Sequence, residues 1–255
     1  MIVKTEAIVL NSFKYGESSK IVTLYTKDYG KIKVVAKGAR KSKNKFGSAL
    51  DPLSYCQISF YHKPTTELFL LSDAEHIIPF RKIQDSLQHL SAGLIIIEAV
   101  NMTQDANEIN NELFILLKET LKKLNDLPAS PFSISSYLLI KLSELIGFAI
   151  DFKSFEEVCN SNGRTQDIKL NQKIFFSMES GSFIETNNSN ELYCFDVKTA
   201  DDLIRISETT LDEVGEINLD KKVIEQIHSF FNAYFSYHLE RKSSFKTMNL
   251  FKSIL

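Results

Sequence analysis

From Lys31 to Lys37 every second residue is apolar, and lysines fill three of the four positions on the other face. Ile32, Val34 and Ala36 fall on one side, with Lys31, Lys33 and Lys37 on the other. A period of two with that chemistry is a half-buried β-strand whose outer face is cationic. The surrounding sequence repeats the period. Thr5–Phe13 and Ile21–Tyr25 are rich in Ile, Val and Leu, with Tyr15-Gly16-Glu17-Ser18 as a turn between them. Tyr55–Tyr61 puts Cys56, Ile58 and Phe60 on one face, Lys63-Pro64-Thr65-Thr66 makes a turn, and Glu67–Ser72 returns as a hairpin partner. Five short strands in about eighty residues fit a small closed barrel, and the five-stranded oligonucleotide-binding barrel is the commonest solution of that size.

From Pro79 the period becomes helical. Leu87, Leu90, Leu94, Ile97 and Val100 recur at three- and four-residue spacing, and Glu112–Leu124 and Ser135–Ile150 read likewise. Pro128 and Pro131 punctuate the join. Helices resume at Asp201–Val214 and Lys221–Arg241, the latter with Val223, Ile227, Phe230 and Tyr234 in a stripe broadened by Phe231, Phe235 and Tyr237. Residues 152–195 are rich in Asn, Ser, Gly and Asp and read as a small inserted module or an irregular loop region. The expected fold is α+β: a barrel domain over residues 1–80, then an α-helical domain over 81–255, interrupted by the insertion at 152–195.

Charge divides along the same line. Residues 1–80 carry 12 Lys and Arg against 7 Asp and Glu, which leaves 18 against 25 for the remainder, although the whole chain is only −2. Local field rather than total charge attracts a polyanion, so the barrel is the expected partner of one. Seven of the fifteen residues from Lys31 to Lys45 are basic and none is acidic: Lys31, Lys33, Lys37, Arg40, Lys41, Lys43 and Lys45. Gly30 and Gly38 give the backbone freedom at either end. Such a run neutralises phosphates and releases counterions; the alternative is an ordinary solvated loop, weakened here by the single sign of charge and its continuation onto a strand. Tyr15, Tyr29 and Phe46 lie in or beside predicted loops and are the candidate rings for base stacking.

No catalytic constellation emerges. There is no phosphate-cradling glycine loop ending in Gly-Lys-Ser/Thr and no nucleophile elbow. His62, His76, His89, His228 and His238 are scattered without metal-ligand spacing. Cys56, Cys159 and Cys194 are an odd, distant set that defines neither disulfides nor a metal site. With no leader-like start and no apolar run of membrane-spanning length, a reducing cytoplasmic setting is expected, with no enzyme activity.

The opening of the chain resembles the RecO family. The matching stretches are Glu6-Ala7-Ile8-Val9-Leu10, Tyr15 through Val22, Leu24-Tyr25-Thr26-Lys27, Gly30-Lys31, Val34 through Arg40 and Ser48-Ala49-Leu50-Asp51-Pro52. Their order and spacing carry the resemblance, which continues thinly to Tyr237-His238-Leu239-Glu240 and Arg241-Lys242. The resemblance implies a mediator of recombinational repair that binds single- and double-stranded DNA and anneals complementary strands. It further implies work with RecR and engagement of the C-terminal tail of single-strand-binding protein, so that RecA is loaded indirectly, at the nucleoid. Lys118, Lys122, Lys123 and Lys141 are the candidate charges for that acidic tail.

Many members of the family also carry a zinc-binding insertion with two Cys-x-x-Cys pairs. Here Cys159-Asn160-Ser161-Asn162-Gly163 keeps one cysteine, and the second pair falls at Glu185 and Asn188, with Cys194 late and alone. A structural zinc site takes four thiolate or imidazole ligands. No cofactor and no metal are therefore expected. Two further readings of the residues stay open: a protein-interaction adaptor and an RNA-binding factor, each using the same barrel.

Overall fold

The computed structural model describes residues 1–161, 173–185, 191–240 and 246–247. Gly163, Asn188, Arg241 and Lys242 lie outside the described residues. Five strands open the chain: β1 (Ile2–Tyr15), β2 (Ser19–Thr26), β3 (Gly30–Ala36), β4 (Tyr55–Tyr61) and β5 (Leu68–Ile78). They close into a barrel in the order β1-β2-β3-β5-β4, with β3 and β5 parallel and the other pairs antiparallel. Closure leaves no open edge to pair with another chain. One strand must serve two neighbours to achieve it. β1 pairs with β4 through Ile2–Ile8 and with β2 through Ala7–Tyr15, and a register shift between Val9 and Asn11 bends it around the corner.

The alternation that predicted β3 sets its faces as expected. Ile32, Val34 and Ala36 are buried in the barrel with Val22, Leu24, Ile58 and Phe60, while Lys33 and Lys37 are exposed. β5 extends beyond the expected end at Ser72. A shift in the β4–β5 ladder near Ser59 and Phe60 lets the polar Asp73–His76 stretch keep pairing to Ile78. A strand with one wet face needs no apolar residue there.

The chain divides into two compact units, residues 1–127 and 128–255. The first contains three helices as well as the barrel: α1 (Arg81–Asp85), α2 (Leu87–Thr103) and α3 (Asn111–Asn125). The Asn110 side chain caps α3 by accepting from the Leu113 amide at 2.9 Å. α2 is buried on much of its circumference, through Ala92, Ile95, Ile96, Ala99 and Val100; Leu87, expected in its apolar stripe, is exposed. The connection from α2 to α3 runs hard against the barrel at Gly30, whose φ is +60 and where an added Cβ would lie 2.0 Å from the Glu108 carbonyl oxygen. Only glycine fits there. Tyr25, although outward on β2, is buried: its ring lies 6.4 Å from Phe114 of α3, and its hydroxyl donates to the Asn110 carbonyl at 3.3 Å.

The second unit is built from α4 (Pro131–Leu145), α5 (Lys153–Ser161), the strands β6 (Lys173–Ser177), β7 (Ser182–Ile184) and β8 (Leu192–Asp196), α6 (Val197–Glu208) and α7 (Lys221–His238). Pro131 starts α4 four residues before the expected position, because its fixed φ suits the first helical turn. The helix stops at Leu145 rather than Ile150. Gly147, at φ +88, turns the chain so that the Phe148 amide donates to the Ser143 carbonyl at 2.8 Å. The helix expected over Asp201–Val214 begins earlier, at Val197, and ends at Glu208; a separate 3₁₀ turn covers Val214–Glu216. Of the two readings of the insertion, its described residues follow the small module. Its three strands form a sheet in the order β7-β6-β8. α7 buries the expected stripe plus Ile224 and His228, but Tyr237 is only half-buried.

Candidate nucleic-acid interface

The segment between β3 and β4 is folded down by its own apolar residues. Ala39, Phe46, Ala49 and Leu50 sink into the barrel core. Gly38, at φ +73, starts the turn; the Lys41 amide donates to the Gly38 carbonyl at 3.1 Å and the Arg40 amide to the Ser18 carbonyl at 2.9 Å. With the small and aromatic residues tucked in, the cations between them face water. Lys33, Lys37, Arg40, Lys41, Lys43 and Lys45 are exposed, and none forms an ion pair among the described residues. Two are steered by neutral partners. The Arg40 guanidinium donates to the Gly16 carbonyl at 2.9 Å, and the Lys45 amine donates to the Ser72 carbonyl.

Three of the residues singled out from sequence are placed differently from expectation. Lys31 is half-buried, and its amine donates to the Asn101 carbonyl at 2.8 Å on α2, so its charge serves a helix end. Phe46 is 4% exposed, because the Asn44 side chain accepts from the Phe46 amide at 3.0 Å and turns the ring into the barrel. Tyr29 packs edge-on against Phe60 at 5.3 Å, where it supports the core. Tyr15 is exposed at 51%, as a stacking ring requires.

Two further rings were missed. Phe13 is 56% exposed and Tyr61 41%. The ladders place them in one lateral row of outward residues, Phe13–Ile21–Val35–Leu70–Tyr61–Ile2, which winds across all five strands. Within it Ile2, Phe13, Tyr61 and Leu70 are exposed, and Ile21 and Val35 half-buried. The same alternation held the clue, since Val35 shares the outward face of Lys33 and Lys37. Rings beside unpaired cations form the arrangement that single-stranded nucleic acid uses, with bases on apolar faces and phosphates on the charges.

The four lysines considered for an acidic tail are locally engaged. Lys118 and Lys122 both meet Glu119, at 3.4 and 3.0 Å, and Lys141 meets Glu144 at 3.0 Å. The two neighbours hold the Glu119 carboxyl below its usual range against the opposing effect of partial burial. Lys123 lies in the last turn of α3 and is engaged as well.

Cys159 is half-buried on α5 and Cys194 exposed on β8, and no three His, Cys, Asp or Glu side chains among the described residues converge on a metal position. The sheet rests on an aromatic core. Phe176 lies 5.2 Å from Phe183, 5.0 Å from Phe230 and 5.8 Å from Tyr234, and Phe155 lies 5.3 Å from Phe183. No helix among the described residues is long and apolar enough to cross a membrane.

Known proteins agree with the barrel and with the helical remainder. Residues 1–80 match the family described as recombination protein O N terminal, and residues 84–246 match recombination protein O C terminal. A Salinibacter ruber protein named DNA repair protein RecO is 37% identical over 164 residues, covering 64% of this chain and 63% of the relative. Its Chloroherpeton thalassium namesake is 28% identical over the full length of both chains. One from Thermodesulfovibrio yellowstonii is 39% identical over 59% of each chain. Matches that span both the barrel and the helices place the chain in the RecO family of DNA repair and recombination proteins, which are mediators rather than enzymes.

Proposed function

We propose that the barrel binds DNA through Lys33, Lys37, Arg40, Lys41, Lys43 and Lys45, with unpaired bases resting on Tyr15, Phe13 and Tyr61. The observation that carries this reading is the set of six exposed cations of one sign without a carboxylate partner. Ion-paired lysines must give up a carboxylate before taking a phosphate; these six have none to give up, and only Arg40 and Lys45 also hold a neutral backbone carbonyl. Bound on so open a surface, single and double strands are both accepted. Neutralising two strands on one cationic face lowers their mutual repulsion, the physical requirement for annealing. In the cell this is the work of a recombination mediator acting with RecR, which anneals complementary strands and helps load RecA onto DNA coated with single-strand-binding protein.

A fluorescent single-stranded oligonucleotide titrated at several salt concentrations tests the reading. Contacts to about four phosphates give a log–log slope near −3. A slope near zero would refute it, and equal competition by RNA of the same length would make the site a general single-strand groove.

A further inference from the structure

A polar cavity of about 230 Å³ opens beside the basic loop, lined by Ser48, Ser54, His76, Arg81, Gln84 and Asp85. It lies within the first compact unit. Two links tie it to the loop. Ser48 follows Lys45 by three residues, and Lys45 is bonded to Ser72 on β5, the strand that also carries His76. Its walls are held in costly backbone. Leu53, just before Ser54, and Phe80, just before Arg81, have φ of +71 and +34. Such conformations cost of order 1–3 kcal/mol each and persist only where the surroundings enforce them.

The hydrogen bonding decides what the cavity offers. His76 Nε2 and Ser48 Oγ are 3.0 Å apart, and His76 Nδ1 is buried without a partner. Burial, and then the Arg81 charge, lower the His76 pKa, so the ring carries one proton at neutral pH. A bare buried lone pair is cheaper than an orphaned buried N–H. The proton therefore sits on Nε2 and is donated to Ser48, whose own hydroxyl hydrogen is left to point elsewhere. Ser54 is already spent, donating to the Ser48 carbonyl at 3.1 Å. The cavity thus offers the Ser48 hydroxyl, the Gln84 amide and the Arg81 guanidinium as donors, and Arg81 has no ion-pair partner among the described residues. Asp85 is the one carboxylate in the lining.

Resting on the DNA-binding reading above, we infer that this cavity is a phosphodiester subsite, which takes one internucleotide phosphate of a strand lying along the basic loop. Three donors around one oxygen-rich anion match the lining. Asp85 sets the limit: one guanidinium beside one carboxylate suits the single charge of a diester better than the near-double charge of a terminal phosphate.

Fluorescence anisotropy with a single-stranded oligonucleotide and the full chain tests the subsite. R81Q should weaken binding about tenfold, the worth of a hydrogen bond to a charged group, and flatten the salt slope by about 0.7. D85N should tighten binding about threefold, the effect of removing one charge a few ångströms away in a water-like medium. Arg81 and Asp85 are both exposed, so the two variants are expected to fold. The loop variant K37A/R40A/K41A separates the subsite from the reading beneath it. If the loop variant loses affinity while R81Q and D85N bind like the parent, the subsite is wrong and the loop stands. Weakening by R81Q without tightening by D85N also overturns it, because a phosphate in the cavity must feel both charges. If the loop variant loses nothing, the DNA-binding reading fails and the subsite falls with it.

Discussion

The barrel loop and the second compact unit use lysine in opposite ways. In the second unit Lys141 meets Glu144, Lys173 and Lys222 both meet Asp196 at 2.7 Å, and Lys198 meets Asp220. The Asp196 carboxyl is held below the usual range, first by Lys173 and then by Lys222. On β3 and in the loop after it, six exposed cations form no ion pair among the described residues. The cores differ too. The barrel is filled mainly by Val, Ile, Leu and Ala, whereas the insertion and α7 meet through Phe and Tyr rings. The comparison shows that counting positive charges does not locate a polyanion site. What locates it is whether those charges are already neutralised.

Four measurements sharpen or break that contrast. The largest effect belongs to the aromatic core. Phe176 is fully buried, and Phe176→Ala should cost the second unit about 3–5 kcal/mol. Denaturant titration would read this as a lower midpoint, while the DNA affinity of the folded protein stays within about twofold. An unchanged midpoint would mean that the rings do not do for this insertion what a metal does elsewhere.

Next come matched lysine triplets. K37A/R40A/K41A should lower single-strand affinity about a hundredfold at 0.1 M salt and flatten the slope by about 2, through three lost phosphate contacts. K173A/K198A/K222A, which removes paired charges, should leave affinity within about twofold. Similar losses from both triplets would abolish the distinction between paired and unpaired cations.

The third is a pH effect confined to the second unit. His228 is fully buried, 3.2 Å from the Ser135 hydroxyl, and burial lowers its pKa to about 3. The unfolded chain takes up its proton near pH 6.5 while the folded chain resists it. This histidine's contribution is thus fully present above pH 6.5 and is lost as pH falls toward 3. Between pH 6.5 and 5 the loss is about 2 kcal/mol. H228Q should flatten that part of the stability profile, whatever it does to stability at pH 7. A profile as steep as the parent's would assign the acid sensitivity to other groups.

Smallest is the exposed pair on α4. Glu144→Gln should change stability by less than about 1 kcal/mol, because a solvent-exposed ion pair contributes little. A larger loss in thermal unfolding would show that the helical lysines hold structure as well as charge.

Much of this was legible in the chain itself. The inward and outward sets of β3 followed from alternation, and Tyr55–Tyr61 was delimited by its neighbours' turn chemistry. The six loop cations stand out because one-sign runs are visible without any fold. The rest depended on distant partners. Phe46 reads as a loop ring until the turn at Asn44 drives it into the barrel. Lys31 reads as one cation of seven until α2 presents the Asn101 carbonyl. Tyr25 and Tyr61 both point outward, yet α3 covers the first and leaves the second to solvent. α1–α3 group with the barrel because their buried faces meet it, which no local period announces.

The sequence by itself determined the period of each strand, the one-sign charge of the loop and the shortage of zinc ligands, since these depend on residue identity and nearest neighbours along the chain. Only the tertiary structure decided which outward residues stay wet, which cations are already spent and how the Ser48–His76–Arg81 cavity is assembled from three separate segments. Exposure and pairing are properties of what packs from far away in the chain, and a single sequence does not state its long-range contacts.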